Sequence, residues 1–191
     1  MNKPKLVITG YARHGKDTLC EILRDKHGFS FESSSQIANE AIIYPILAPK
    51  YGYSSFEECY ADRVNHRDEW FNLIHKYNKA DLTKLGRRIF EKHDIYCGLR
   101  NKYELIAMKL ARLCNFVVWV DAGERLQTVE DSSSMTLNPQ YADIIIKNNG
   151  DLNDLIEAAN ALVTILMANT LITILKTDKF TKTTTIDGRY L

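Results

Sequence analysis

The sequence predicts a doubly wound α/β fold: a five-stranded parallel sheet with helices on both faces and a helical insertion between strands two and three. Three observations carry this expectation. Apolar, β-branched runs alternate with helical segments along the chain. The first run leads through a glycine-containing loop directly into a helix. Residues 36–93 show helical character and no strand signal.

The elements follow in order. Strand one is Lys5 to Thr9, and helix one runs from about Lys16 to Lys26 until Gly28 stops it. Phe29 to Glu32 reads as a short second strand, after which Ser33, Ser34 and Ser35 offer hydroxyl caps for a helix starting near Gln36. The insertion continues to about His93, with breaks expected at Pro45, Pro49 and Gly52. Asp94 to Leu99 resumes the sheet. Asn101 to Cys114 reads as an amphipathic helix with Tyr103, Ile106, Ala107, Leu110, Leu113 and Cys114 facing inward. The unbroken apolar run Phe116 to Asp121 is a buried strand. A polar loop of roughly twenty residues, Ala122 to Tyr141, exceeds ordinary connections and reads as a lid. Ala142 to Gly150 is the last strand and Asn153 to Ala168 the closing helix. A single domain results, with core residues 1–35 and 94–191, the insertion at 36–93 and the lid-like loop at 122–141.

The most specific signal is the stretch LVITGYARHGKDTL, Leu6 to Leu19. Gly10, four residues, then Gly15 and Lys16 between a strand and a helix is the spacing of the P-loop, which places the fold among the P-loop NTPases. The glycines let backbone amides from Arg13 to Thr18, His14 included, surround a polyphosphate while the helix directs its positive end at the same anion. Lys16 would reach the β- and γ-phosphates. Position 17 normally carries a hydroxyl for Mg²⁺; here it is Asp17, with Thr18 one residue late, and both are expected to serve the metal. The third core strand ends in Cys97-Gly98-Leu99-Arg100, where many P-loop enzymes carry an Asp for Mg²⁺. Asp17 would stand in for that carboxylate.

Composition narrows the function classes. The chain has 191 residues, enough for one substantial core, and a formal net charge of +1, so no bulk attraction to nucleic acid. Four cysteines, Cys20, Cys59, Cys97 and Cys114, lack metal-ligand spacing and read as reduced thiols of a cytoplasmic protein. The start of the chain shows no signal peptide. Leu155 to Leu175 is the most apolar stretch, but Glu157, Asn160 and Asn169 favour a buried helix and strand over a membrane span.

Ligands of such a sheet sit at the strands' C-terminal ends. Arg100 stands there and is expected to act as a catalytic cation, the bland alternative being an ion pair with Glu104. Arg63, His66 and Arg67 share a helical face, and Arg63, Arg67 and Arg88 are candidate acceptor clamps; of the adjacent Arg87 and Arg88 at most one points inward. Arg125 would close from the lid. Asp121 is the candidate general base, or else the partner of Arg125; Asp62, Asp68 and Glu32 are poorer candidates. Trp70, Phe71 and Tyr77 are expected to pack in the core rather than stack on a base.

The motif GYARHGKDT resembles the GKDT form of the P-loop in bacteriophage deoxynucleoside monophosphate kinases, within the nucleoside monophosphate kinase group. The remaining segments follow a similar order: FSFESSSQ, a helical acceptor-binding insertion, GLRNKYE, VVWVDAGER and ADIIIKNNG. The resemblance implies an ATP- and Mg²⁺-dependent transfer of a γ-phosphoryl group to a deoxynucleotide in the host cytoplasm. A related phage family is similar too: P-loop kinases that phosphorylate 5-hydroxymethyluracil already built into DNA. A monophosphate acceptor is an anion that needs arginines, whereas a hydroxymethyl acceptor needs a carboxylate base. A different class, an NTP-binding switch or ATPase, would share the loop but not need both an insertion and a lid. No membrane partner is expected, and a homodimer is compatible with the sequence.

Overall fold

The structure, a computed structural model, describes residues 3–126 and 135–183, with side chains as far as residue 168. Among these residues a five-stranded parallel sheet has the order β2-β3-β1-β4-β5, formed by β1 (Leu6–Thr9), β2 (Phe31–Ser33), β3 (Ile95–Cys97), β4 (Phe116–Asp121) and β5 (Ile144–Lys147). The registers Ile8 with Cys97, Thr9 with Trp119, Ser33 with Cys97 and Asp121 with Lys147 align all five C-terminal ends along one edge. The chain runs from β1 to one side of the sheet and returns through β4 to the other. The loop after β1 therefore occupies the topological switch point, where open α/β sheets hold their ligands.

Alternation along each strand divides the core. Leu6, Ile8, Ile95, Cys97, Val118 and Val120 face α1 (Lys16–His27) and α8 (Leu152–Thr183), meeting Leu19, Leu23, Leu155 and Leu162. Val7, Tyr96, Val117 and Trp119 face the other way, onto α6 (Lys84–Lys92), α7 (Lys102–Leu110) and the insertion. Each fully buried Leu or Ile contributes roughly 1.5–3 kcal/mol, so both faces are firmly held.

The insertion is helical, as its pattern predicts, but not broken where prolines suggest. α2 (Ser34–Ala38) continues through a π-helical turn, Asn39–Ile43, into α3 (Tyr44–Tyr51). Pro45 lies in the first turn of α3, behind the widened turn that makes room for its ring, and Pro49 lies inside the helix. Gly52, at φ 77°, ends it. α4 (Phe56–Ala61), a 3₁₀ turn at Asp62–Val64, and α5 (Arg67–Asn78) follow.

Two further corrections concern helices. α7 buries Glu104, Leu105 and Met108 and exposes Tyr103, Ile106 and Leu110, the reverse of the inward face expected. The stretch expected to be a helix followed by a strand is one helix, α8, because neither Gly nor Pro stops it after Ala168. Among the described residues no helix is long and apolar enough to cross a membrane.

Candidate functional site

The loop from Gly10 to Gly15 is shaped by its glycines. Gly10 has φ 153°, and a Cβ there would stand 2.4 Å from the Val120 carbonyl oxygen, so only glycine lets the chain leave β1 across β4. Arg13 at φ 65° and Gly15 at φ 91° are both left-handed, which turns successive N–H groups to one side of the loop. Gly15 caps α1 without any side-chain cap, and the first backward bond of the helix is Leu19 N–H to the Gly15 carbonyl at 2.9 Å. The amides of Lys16, Asp17 and Thr18 thus open the helix with no intrahelical acceptor. That donor set, added to the helix dipole, fits a polyphosphate.

Buried groups behind the loop fix its shape. His14 is buried, and its Nδ1 accepts from the Ala122 N–H at 2.9 Å, which puts the ring proton on Nε2. The His14 carbonyl accepts from Asn148 Nδ2 at 2.9 Å, while the Asn148 N–H donates to the Asp121 carbonyl at 2.7 Å. Tyr11 sets its ring edge-on to Trp119 and His14. The His14 side chain thus ties the loop to the end of β4, and its carbonyl ties the loop to the end of β5.

On the open side stand Lys16 and Asp17. Lys16 Nζ is 3.2 Å from Asp17 Oδ2, with the lysine 15 % and the aspartate 62 % exposed. Asp17 Oδ1 accepts from the Cys97 thiol at 3.2 Å, so the carboxylate spans from the loop to the end of β3. Gly98, at φ 92°, leaves room there for the Lys16 stem and the Ser34 hydroxyl.

A polar chain continues from the end of β2. Ser33 and Ser35 share a hydrogen bond of 2.7 Å, Ser35 meets the Tyr60 hydroxyl at 3.0 Å, and Ser34 donates to the Gly98 carbonyl at 3.4 Å. The Arg63 guanidinium lies 3.9 Å over the Tyr60 ring while Nη1 donates to the Tyr60 carbonyl at 2.8 Å. Arg63 is thereby held flat with a second fork edge left over for an anion.

The other expected residues are distributed as follows. Arg13 and Arg100 are exposed, and the Arg100 carbonyl anchors the far end of the lid segment by accepting from the amides of Thr136 and Leu137 at 3.0 and 3.2 Å. Glu104 turns inward instead of pairing with Arg100; burial raises its carboxyl above the usual range, the nearby His75 opposing the shift. Arg67 is exposed at the start of α5, beside a shallow depression lined by residues 64–69, none of which belongs to the loop. Arg87 and Arg88 are both exposed, so neither points inward; Arg87 donates to Thr83 at 2.8 Å. Arg125 Nε donates to the Asn148 carbonyl at 2.7 Å, not to Asp121, and residues 127–134 of the expected lid lie outside the described residues.

Asp121 is occupied. Its Oδ2 accepts from Lys147 at 2.6 Å and Oδ1 from the Gly123 N–H at 3.0 Å, and the Lys147 bond above all holds its carboxyl below the usual range. A carboxylate so stabilised as an anion is a poor general base. Asp62 is likewise saturated by Tyr53, Asn65 and His66. Trp70 is buried as expected, Tyr77 is partly buried against the same core cluster, and Phe71 is exposed. Sequence reading missed Asn148, Tyr60 and the Cys97 contact. Asn148 was within reach of the strand-end rule, but nothing local marks Tyr60.

Mg²⁺ bound with a nucleotide takes phosphate oxygens and waters and needs only one or two protein oxygens. The exposed Asp17 carboxylate beside Thr18 suits that need, and among the described residues no group of three or more His, Cys, Asp or Glu forms a self-sufficient metal cage.

No family model and no curated protein matches the chain. Among solved structures, a shikimate kinase from Aquifex aeolicus is 18% identical, aligned over 87% of this chain and 98% of that chain with a TM-score of 0.48. A shikimate kinase from Bacteroides thetaiotaomicron is 12% identical over 86% and 98%, with a TM-score of 0.49. A gluconokinase from Sinorhizobium meliloti is 14% identical over 89% and 97%, with a TM-score of 0.48. Likeness at this level carries no argument about substrate, and the assignment to the P-loop α/β fold rests on the strand order and the loop that follows β1.

Proposed function

We propose that the protein is an ATP- and Mg²⁺-dependent cytoplasmic kinase that transfers the γ-phosphoryl group to a deoxynucleotide acceptor, foremost a deoxynucleoside monophosphate. The observation that carries the reading is the pairing of two half-sites on one sheet edge. The uncapped α1 terminus with Lys16 and Asp17 suits the donor phosphates, and the β2-end hydroxyls with Arg63 suit an acceptor anion.

In this reading an acceptor phosphate oxygen forms a bond to the γ-phosphorus as the γ-to-β bridging P–O bond breaks, and its electrons pass to the β-phosphate of the leaving ADP. The amides of Arg13 to Thr18 hold the donor, and Lys16 neutralises charge at the β- and γ-oxygens. Mg²⁺, when bound, adds charge neutralisation there, with Asp17 and Thr18 as the residues to hold it or its waters. Arg63 anchors the acceptor, and Arg100 and Arg125 line the sheet edge near the lid. A monophosphate acceptor is already anionic, so the commitment of Asp121 to Lys147 leaves no catalytic gap.

The test is phosphate transfer from γ-labelled ATP with Mg²⁺ to the four deoxynucleoside monophosphates, hydroxymethyl-dUMP, small alcohols and DNA containing hydroxymethyluracil, side by side. Label in deoxynucleoside diphosphates is the expected result. Label only in DNA or an alcohol would replace the acceptor assignment, and slow ATP hydrolysis indifferent to every acceptor would remove the kinase reading.

A further inference from the structure

Behind the carboxylate of Asp17 lies a pair of thiols that the phosphate-binding reading leaves unused. Cys97, the last residue of β3, is buried, yet its Sγ sits 3.2 Å from Asp17 Oδ1. Cys20, one turn further along α1, is also buried and lies in the same core cluster as Cys97. The second oxygen of Asp17 faces Lys16 Nζ at 3.2 Å.

An aspartate that is 62 % exposed in the first turn of a helix has several rotamers open to it. Lys16 alone would draw it toward the lysine, and the lysine must be released to a phosphate when a nucleotide binds. The thiol contact is the one that persists, because it comes from the sheet rather than from the loop. Its direction matters as well: it holds the carboxylate over the end of β3, the strand next to β1.

We propose that Cys97 is a positioning residue for the metal site, its S–H aiming the Asp17 carboxylate at the metal ion or its waters. This rests on the kinase reading above. A carboxylate fixed by an outer hydrogen bond binds a metal more tightly than one free to turn, and loss of such a partner typically costs ~10–100-fold in affinity. A thiol is a weak donor, so the low end applies.

The test is Mn²⁺ binding to the protein with ADP, followed by electron paramagnetic resonance, which needs no turnover. Cys97→Ala should weaken Mn²⁺ about tenfold while ADP affinity without metal stays unchanged. Cys97→Ser, which keeps a donor, should recover most of the loss. In an Asp17→Ala background Cys97→Ala should add nothing, since it acts through that carboxylate. Equal Mn²⁺ affinity in wild type and Cys97→Ala, or equal losses in the Ala and Ser variants, would overturn the proposal and leave the kinase reading standing. Should Cys97→Ala fail to fold, Cys97→Val, which fills the same space without a donor, takes its place: weakened Mn²⁺ binding in Val with near-wild-type binding in Ser supports the positioning role, and any other pattern refutes it. Absence of any ADP-dependent Mn²⁺ site in the wild type would bring down both readings.

Discussion

Replacing Gly15 by alanine probes the loop where backbone shape and buried contacts meet. The residue sits at φ 91°, and a Cβ would approach Asn148 Nδ2 at 2.2 Å. An L side chain in the left-handed region costs ~1–2 kcal/mol. Asn148 is buried and cannot swing away without giving up its bond to the His14 carbonyl, which leaves a buried acceptor unpaired at ~1–3 kcal/mol. The native loop is therefore destabilised by about 2–5 kcal/mol against any relaxed form. Urea unfolding and ADP titration together read the cost. It appears as reduced global stability, or, where the loop relaxes and the rest of the fold holds, as ADP binding weakened roughly thirtyfold or more. Asn148→Ala added to Gly15→Ala should cost less than its single-mutant effect, because the contact it removes is already lost. Gly15→Ala with stability and ADP affinity both within twofold of wild type would refute the description of this loop.

Other expectations follow from the same geometry. Glu104 has its folded carboxyl raised by burial, so its stabilising share is complete below the ordinary carboxylate value of about 4.3 and lost as pH rises through the raised one. Glu104→Gln should melt with wild type near pH 4 and above it at pH 7; a gap independent of pH in calorimetry would contradict this. Arg63→Lys cannot both lie over Tyr60 and bond its carbonyl, so acceptor KM should rise about tenfold with kcat changing less. An unchanged KM would remove Arg63 from the acceptor site. Gly86→Ala should destabilise by ~1–3 kcal/mol in urea unfolding despite alanine's better helix propensity, because its Cβ would meet the Met108 sulfur at 2.1 Å; a stabilised variant would show that Met108 turns aside freely.

What was legible in the sequence is what local rules decide. The strand, loop and helix around Gly10 and Lys16 announce themselves because each residue's role there depends on its neighbours in the chain. The sheet followed from unbroken apolar runs such as Phe116 to Asp121. The inward face of α7 was not legible, since that helix carries two apolar arcs. Contact with α6, where Gly86 admits Met108, chose the arc that looked worse. Pro45 misled for a related reason, because the π turn before it absorbs what an ordinary helix could not. The ion pair of Asp121 with Lys147 depends on the pairing of β4 with β5, which no single segment encodes. Tyr60 reaches the β2 end only through the path of the insertion.

The most direct test of the central claim compares ATP-dependent phosphoryl transfer by the wild type and Lys16→Ala, with circular dichroism as the check on the fold. Lys16 stands with its ammonium beside Asp17 at the mouth of the loop, where charge develops on the transferring group. Turnover should fall on the order of a hundredfold or more with the fold intact. Near-native turnover in Lys16→Ala would contradict the account.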